Sequence, residues 1–235
     1  MQRRGRIVIG IIVAAVLVAI VAAVGPLLYR DLIAGEAAEA PTLRAEGSTL
    51  TVGSGAPLTA EDLTGTWELI EGSSAGYRVD EVLNGTDVTV TGRTEAVTGS
   101  LTVTGLILER AEFVVEVAAI ATDNSARDAY FRDVVMRVAE HPTATFRLTE
   151  PVTAPTAPTS GETMTFEFSG DLTIAGVTQP VTFPAQMRTD GELVEIAGQV
   201  PIRFADFGVT APSLGFVAVE ERGLVEFQLV ARRSG

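Results

Sequence analysis

The chain has 235 residues, a formal net charge of −13 and no cysteine. The missing cysteines exclude disulfide staples and thiolate chemistry. The acidity argues against nucleic acid and gives no pull toward anionic lipid heads. All 17 basic residues are arginine, and three of them precede residue 7, so the remainder is more acidic still. The plainest use of such a surface is solubility.

Ile7 to Leu28 form twenty-two consecutive residues without a charge, behind Arg3, Arg4 and Arg6. At ~1.5 Å of rise per residue such a run spans ~30 Å as a helix, enough to cross a bilayer. The basic residues before it predict a cytoplasmic segment 1–6, a transmembrane helix 7–28 and an outer domain. A cleaved signal peptide is the rival, with Ala38-Glu39-Ala40 as its small-x-small site. Its apolar core is too long for that, since such cores run to ~15 residues. Residues 29–63, rich in Ala, Gly, Thr, Ser and Glu and including Pro41 and Pro57, predict a linker.

From Thr64 to Gly235 about 170 residues remain, enough for one sizeable core. Period two dominates them. In Thr163 to Ile174 the even positions are Met164, Phe166, Phe168, Gly170, Leu172 and Ile174, and every odd position is polar. That is a strand with one dry and one wet face. Leu193 to Phe204 repeats it, with Val194, Ile196, Val200 and Phe204 on one side and Glu195, Gln199 and Arg203 on the other. Phe113, Val115 and Val117 alternate with Glu112 and Glu116, and Val225, Phe227 and Leu229 with Glu226 and Gln228. Further strands are predicted at Tyr77 to Leu83, Val88 to Arg93, Val97 to Val103, Thr143 to Leu148 and Val177 to Thr189. Turn dipeptides such as Thr104-Gly105, Ala175-Gly176 and Asp190-Gly191 separate them. Pro151 to Gly161 reads as an exposed loop. Asn124 to Arg137 is helical in character, with Ser125 and Asp128 spaced as a capping box. The pattern is all-β: about eight antiparallel strands with a short helical insert, closing as a barrel or folding as a sandwich.

The chemistry-bearing residues are few. His141 is the one histidine, is followed by Pro142, and suits a turn better than a catalytic triad. One histidine without cysteine is a poor start for a metal site, and no run has EF-hand spacing. No phosphate-cradling glycine loop or nucleophile elbow occurs, so no enzyme, cofactor or metal is expected. Arg127, Asp128, Arg132 and Asp133 form a dense charge cluster that reads as helix pairing and capping, or as a rim meeting a polar head group. All ten phenylalanines lie from Phe113 to Phe227. On pattern alone their rings fill a core.

Several stretches, in this order, carry a resemblance. They are Trp67-Glu68-Leu69 with Tyr77-Arg78-Val79, the run Ala119 to Asp128, and His141-Pro142-Thr143-Ala144-Thr145-Phe146. Gly170 to Thr178 and Phe204-Ala205-Asp206-Phe207-Gly208-Val209 complete the set. Together they resemble the YceI-like family of polyisoprenoid-binding proteins over Thr66 to Arg232. The resemblance implies an eight-stranded antiparallel, lipocalin-like β-barrel, exported from the cytoplasm, with an isoprenoid tail inside. It implies a ligand surface of Phe113, Val115, Val117, Phe146, Leu148, Phe166, Phe168, Leu172, Phe183, Val200, Phe204 and Phe227. Two features depart from the family: the long apolar run, read as an anchor where many relatives begin with a cleavable signal, and the long linker. The alternatives are a structural or interaction module of the cell envelope whose barrel is self-filled, and, more weakly, a lipid hydrolase or isomerase.

Overall fold

The protein is described from a computed structural model covering residues 37–43, 55–83, 85–213, 215 and 217–234. The apolar run Ile7 to Leu28 lies outside these residues. Among them no helix is long and apolar enough to cross a membrane.

A four-residue helix, α1 (Ala60–Leu63), opens the domain, capped by the Thr59 side chain, which accepts from Asp62 N. The strands are β1 (Gly65–Leu69), β2 (Ser74–Leu83), β3 (Thr86–Thr94), β4 (Val97–Thr104), β5 (Ile107–Glu116), β6 (Thr143–Leu148), β7 (Val152–Thr153), β8 (Met164–Ile174), β9 (Val177–Thr189), β10 (Leu193–Arg203) and β11 (Val217–Arg233). Eight of them close a ring in the order β1-β4-β5-β6-β8-β9-β10-β11, because β1 pairs with both β4 and β11. All pairings are antiparallel, and the barrel expectation replaces the sandwich.

Strand β11 has a double role. Its last residues close the ring against β1, with Trp67 opposite Arg233. Its first half carries the β2–β3 hairpin. The register shifts between Val219 and Gly223, so Glu220, Glu221 and Arg222 sit at a bulge. Beyond β3 the wall continues through a backbone pair, Arg93 with Ala121, at 3.0 and 3.1 Å. Between β5 and β6 lie a 3-10 turn (Val117–Ala119), helix α2 (Ser125–Tyr130) and one π-helical stretch (Phe131–Val135). This insert roofs one end of the barrel. At the other end Trp67, 2 % exposed, donates from Nε1 to Leu63 O at 3.1 Å.

Several expectations are corrected. Val117 begins the 3-10 turn and Phe204 another (Phe204–Phe207), so neither is in a strand. The insert is capped by Asn124, whose Oδ1 accepts from Ala126 N and Arg127 N; Asp128 instead accepts from Thr122. Pro151 to Gly161 is not a free loop: β7 pairs with β5, Thr159 bridges Pro57, and Ser160 is buried. Contacts with the barrel already begin before Thr64. Leu58 N bonds Pro158 O, Ser160 N bonds Ala56 O, and Leu63 O accepts from Trp67 Nε1. Residues 37–43 lie on the outside of β2 and β3, where Arg78 and Arg93 donate to the carbonyls of Ala38 and Glu39.

The wet faces also hold a surprise. Glu195 and Glu226 point outward, yet each is 1 % exposed. Arg188 meets Glu195 at 2.6 Å, and Glu226 receives Arg78 at 2.6 Å, Gln199 at 2.8 Å and Arg93 at 3.0 Å. A carboxylate this deep is tolerable only with such charge-assisted bonds.

Candidate functional site

The inward faces of the strands meet around a chain of rings. Phe183 is at its centre, edge-on to Phe146 (centroids 5.4 Å) and Phe227 (5.7 Å) and stacked on Phe168 (5.9 Å). Phe113 stacks on Phe146 at 6.4 Å. Glycines make room for the rings. A Cβ on Gly198 would lie 2.7 Å from Phe227, and one on Gly170 2.4 Å from Phe146. Phe227 and Phe146 thus occupy space that a side chain at Gly198 or Gly170 would take.

Between the ring chain and the helical insert is a cavity of about 230 Å³. Its walls are almost wholly apolar. Of the twelve residues expected to form the ligand surface, ten line it: Phe113, Val115, Val117, Phe146, Phe168, Leu172, Phe183, Val200, Phe204 and Phe227. Leu148 is packed into the core without reaching it. Phe166 belongs to a second, smaller cavity of about 80 Å³ near the Trp67 end. Phe166 shares a face with Phe168 but lies one pleat further along the barrel, which alternation alone does not reveal.

The lining also includes residues outside that set of twelve. Tyr77 stacks on Phe131 of the insert at 4.8 Å. Glu81 and Arg127 face each other at 3.4 Å, and Tyr130 of the insert also lines the cavity. Glu81 follows Tyr77 and Val79 at spacing two, so a carboxylate on a dry face was the available signal. Burial pushes the Glu81 carboxyl above its ordinary range, partly opposed by Arg127. Burial likewise pushes the Tyr77 hydroxyl up to about 12.

His141 lies elsewhere, its ring over Gly176 and its Nε2 3.9 Å from Glu140. No cluster of three or more potential metal ligands occurs among the described residues. Arg127 is both a paired helix residue and a cavity residue, so the two readings of its cluster meet in one side chain. Arg132 simply pairs with Asp133 at 2.8 Å on the surface.

The class is a closed eight-stranded antiparallel β-barrel with an apolar interior cavity and a short helical insert. Residues 67–231 match the YceI-like domain, and the chain belongs to that family. Two solved structures share the fold. A polyisoprenoid binding domain from Saccharophagus degradans, implicated in plant cell wall breakdown, is 18 % identical with a TM-score of 0.57, covering 72 % of this chain and 98 % of that one. BcnA of Burkholderia cenocepacia is 20 % identical with a TM-score of 0.50, covering 66 % and 95 %. A comparison with curated protein sequences gives no match.

Proposed function

We propose that the domain holds the apolar chain of an isoprenoid or similar lipid inside its barrel, outside the cytoplasm, while Ile7 to Leu28 tethers it to the membrane. The observation that carries this reading is the cavity of about 230 Å³ walled by Phe113, Phe146, Phe168, Phe183 and Phe227. A self-filled envelope module has no use for such a space, because an unfilled void costs packing energy.

Each methylene-sized group buried in the cavity contributes ~0.8 kcal/mol, so an apolar tail gains affinity along its buried length without a hydrogen bond. Long tails then leave part of their length outside or widen the barrel. The membrane tether, the outer location and the isoprenoid chemistry rest on the apolar run, the leading arginines and the family.

Native mass spectrometry of the protein purified from its own host tests the ligand. A co-purified lipid with a prenyl mass series is the expected result; a ligand-free protein that also takes up no added isoprenoid refutes it.

A further inference from the structure

Among the described residues, Glu81 and Arg127 are the one carboxyl and the one guanidinium in the cavity lining, both at the end roofed by the insert. Their charges do not simply cancel. Arg127 donates to Asp123 at 2.6 Å as well as to Glu81 at 3.4 Å, so two carboxylates share it. The other arginines of the insert are engaged too, Arg132 by Asp133 and Arg137 by Glu140. Asp128 is held by the backbone N–H and hydroxyl of Thr122 instead of by a cation. From Asp123 to Glu140 three arginines stand among four carboxylates, and Glu81 adds a fifth. Arg127 acts most strongly on the buried Tyr77 hydroxyl and is opposed there by Asp128, Glu81 and Asp123, so the one cation and three carboxylates are all felt at the cavity.

Glu81 is only 6 % exposed. Among the described residues, the one hydrogen bond to its side chain is the long one from Arg127. A carboxylate offers about four acceptor sites, so most of its capacity is left for a donor inside the cavity. A hydroxyl or ammonium there gains a charge-assisted bond. A phosphate instead brings like charge into a low-dielectric space where the nearest guanidinium is already shared.

We propose that Glu81 holds the polar end of the bound lipid. That end is a hydrogen-bond donor without negative charge, a prenyl alcohol or amine, and the same chain ending in phosphate or diphosphate is rejected. The inference rests on the isoprenoid reading above and adds the head group to it.

The test measures equilibrium binding of labelled geraniol, geranylamine and geranyl diphosphate to the full chain in phosphatidylcholine nanodiscs, with empty discs subtracted. Geraniol and geranylamine are expected to bind, and the diphosphate at least about a hundredfold more weakly, as opposed like charges cost several kcal/mol. Glu81→Gln is expected to weaken geranylamine about tenfold and to narrow the gap between alcohol and diphosphate. Asp123→Asn, at an exposed carboxylate, narrows the gap in the same direction and serves if Glu81→Gln does not fold. Diphosphate binding as tight as geraniol overturns the head-group assignment and leaves the isoprenoid reading standing. A weak diphosphate with no response to either variant overturns the role of Glu81. Failure of all three probes to bind overturns the isoprenoid reading and this inference with it.

Discussion

Phe183→Ala is the sharpest probe of the barrel interior. The side chain is 4 % exposed and touches three other rings at 5.4 to 5.9 Å. Losing its burial costs about 2 kcal/mol. Three ring pairs at about 0.5–1 kcal/mol each add about 2 more. The sum, about 4 kcal/mol, falls within the usual cost of removing a buried phenylalanine ring, about 3–5 kcal/mol. Trp67 is the single tryptophan and is buried at the far end of the barrel, so its fluorescence in urea reports global unfolding of the fragment from Ala37 onward. With a slope of about 2 kcal/mol per M, the midpoint is expected to drop by about 2 M at unchanged slope. The space vacated by the ring joins the cavity it lines, so a small apolar solute should restore part of the loss. A loss below about 1 kcal/mol would mean that Phe183 does not organise the core, and the ring chain would not be the scaffold of the cavity.

Three further outcomes are expected. Gly198→Ala sets a methyl 2.7 Å from Phe227 and 3.0 Å from Ala185, so it should cost about 1–3 kcal/mol by overpacking; a neutral effect in the same urea assay contradicts the close approach. Glu226→Ala strands Arg78 and Arg93 and should cost about 3–5 kcal/mol, whereas joint replacement of all three by apolar residues should cost less; equal losses would deny the coupling. Because burial raises the folded-state value of Glu81, the native state binds a proton that the unfolded chain has already released. Stability relative to Glu81→Gln should therefore fall as pH rises from the ordinary carboxylate range through the raised value, and a difference independent of pH would refute it.

What the sequence made legible depended on whether a strand had one wet face. Thr143 to Leu148 and Val177 to Thr189 are read with the bounds that β6 and β9 have, because alternation and turn residues agree there. The first half of β11 is not readable in this way. Its Glu220-Glu221-Arg222 run breaks the period, and only the bulge against β2 accounts for it. Glu195 and Glu226 show the other limit. Alternation assigns a residue to a face but does not say whether that face is covered. Their partners Arg188 and Arg78 lie seven and 148 residues away, and the latter pairing follows from the β2–β11 ladder. The cavity was half legible for a related reason. Period two put Phe166 and Phe168 on one face, but position along the barrel axis decides which of two cavities each ring meets.

The closure of β1 on β11 has a consequence for how the domain is made. Trp67 and Arg233 are neighbours across the seam, yet they come from opposite ends of the domain. Contact order is therefore high, and the seam cannot zip until the last strand has been synthesised. Without it, β1 has β4 on one side only, and β10 and the β2–β3 hairpin lack the strand that joins them. Partial chains are thus left with raw strand edges, which invite aggregation and chaperone capture. The ring thus locks only when β11 is available to pair with β1, β2 and β10 together.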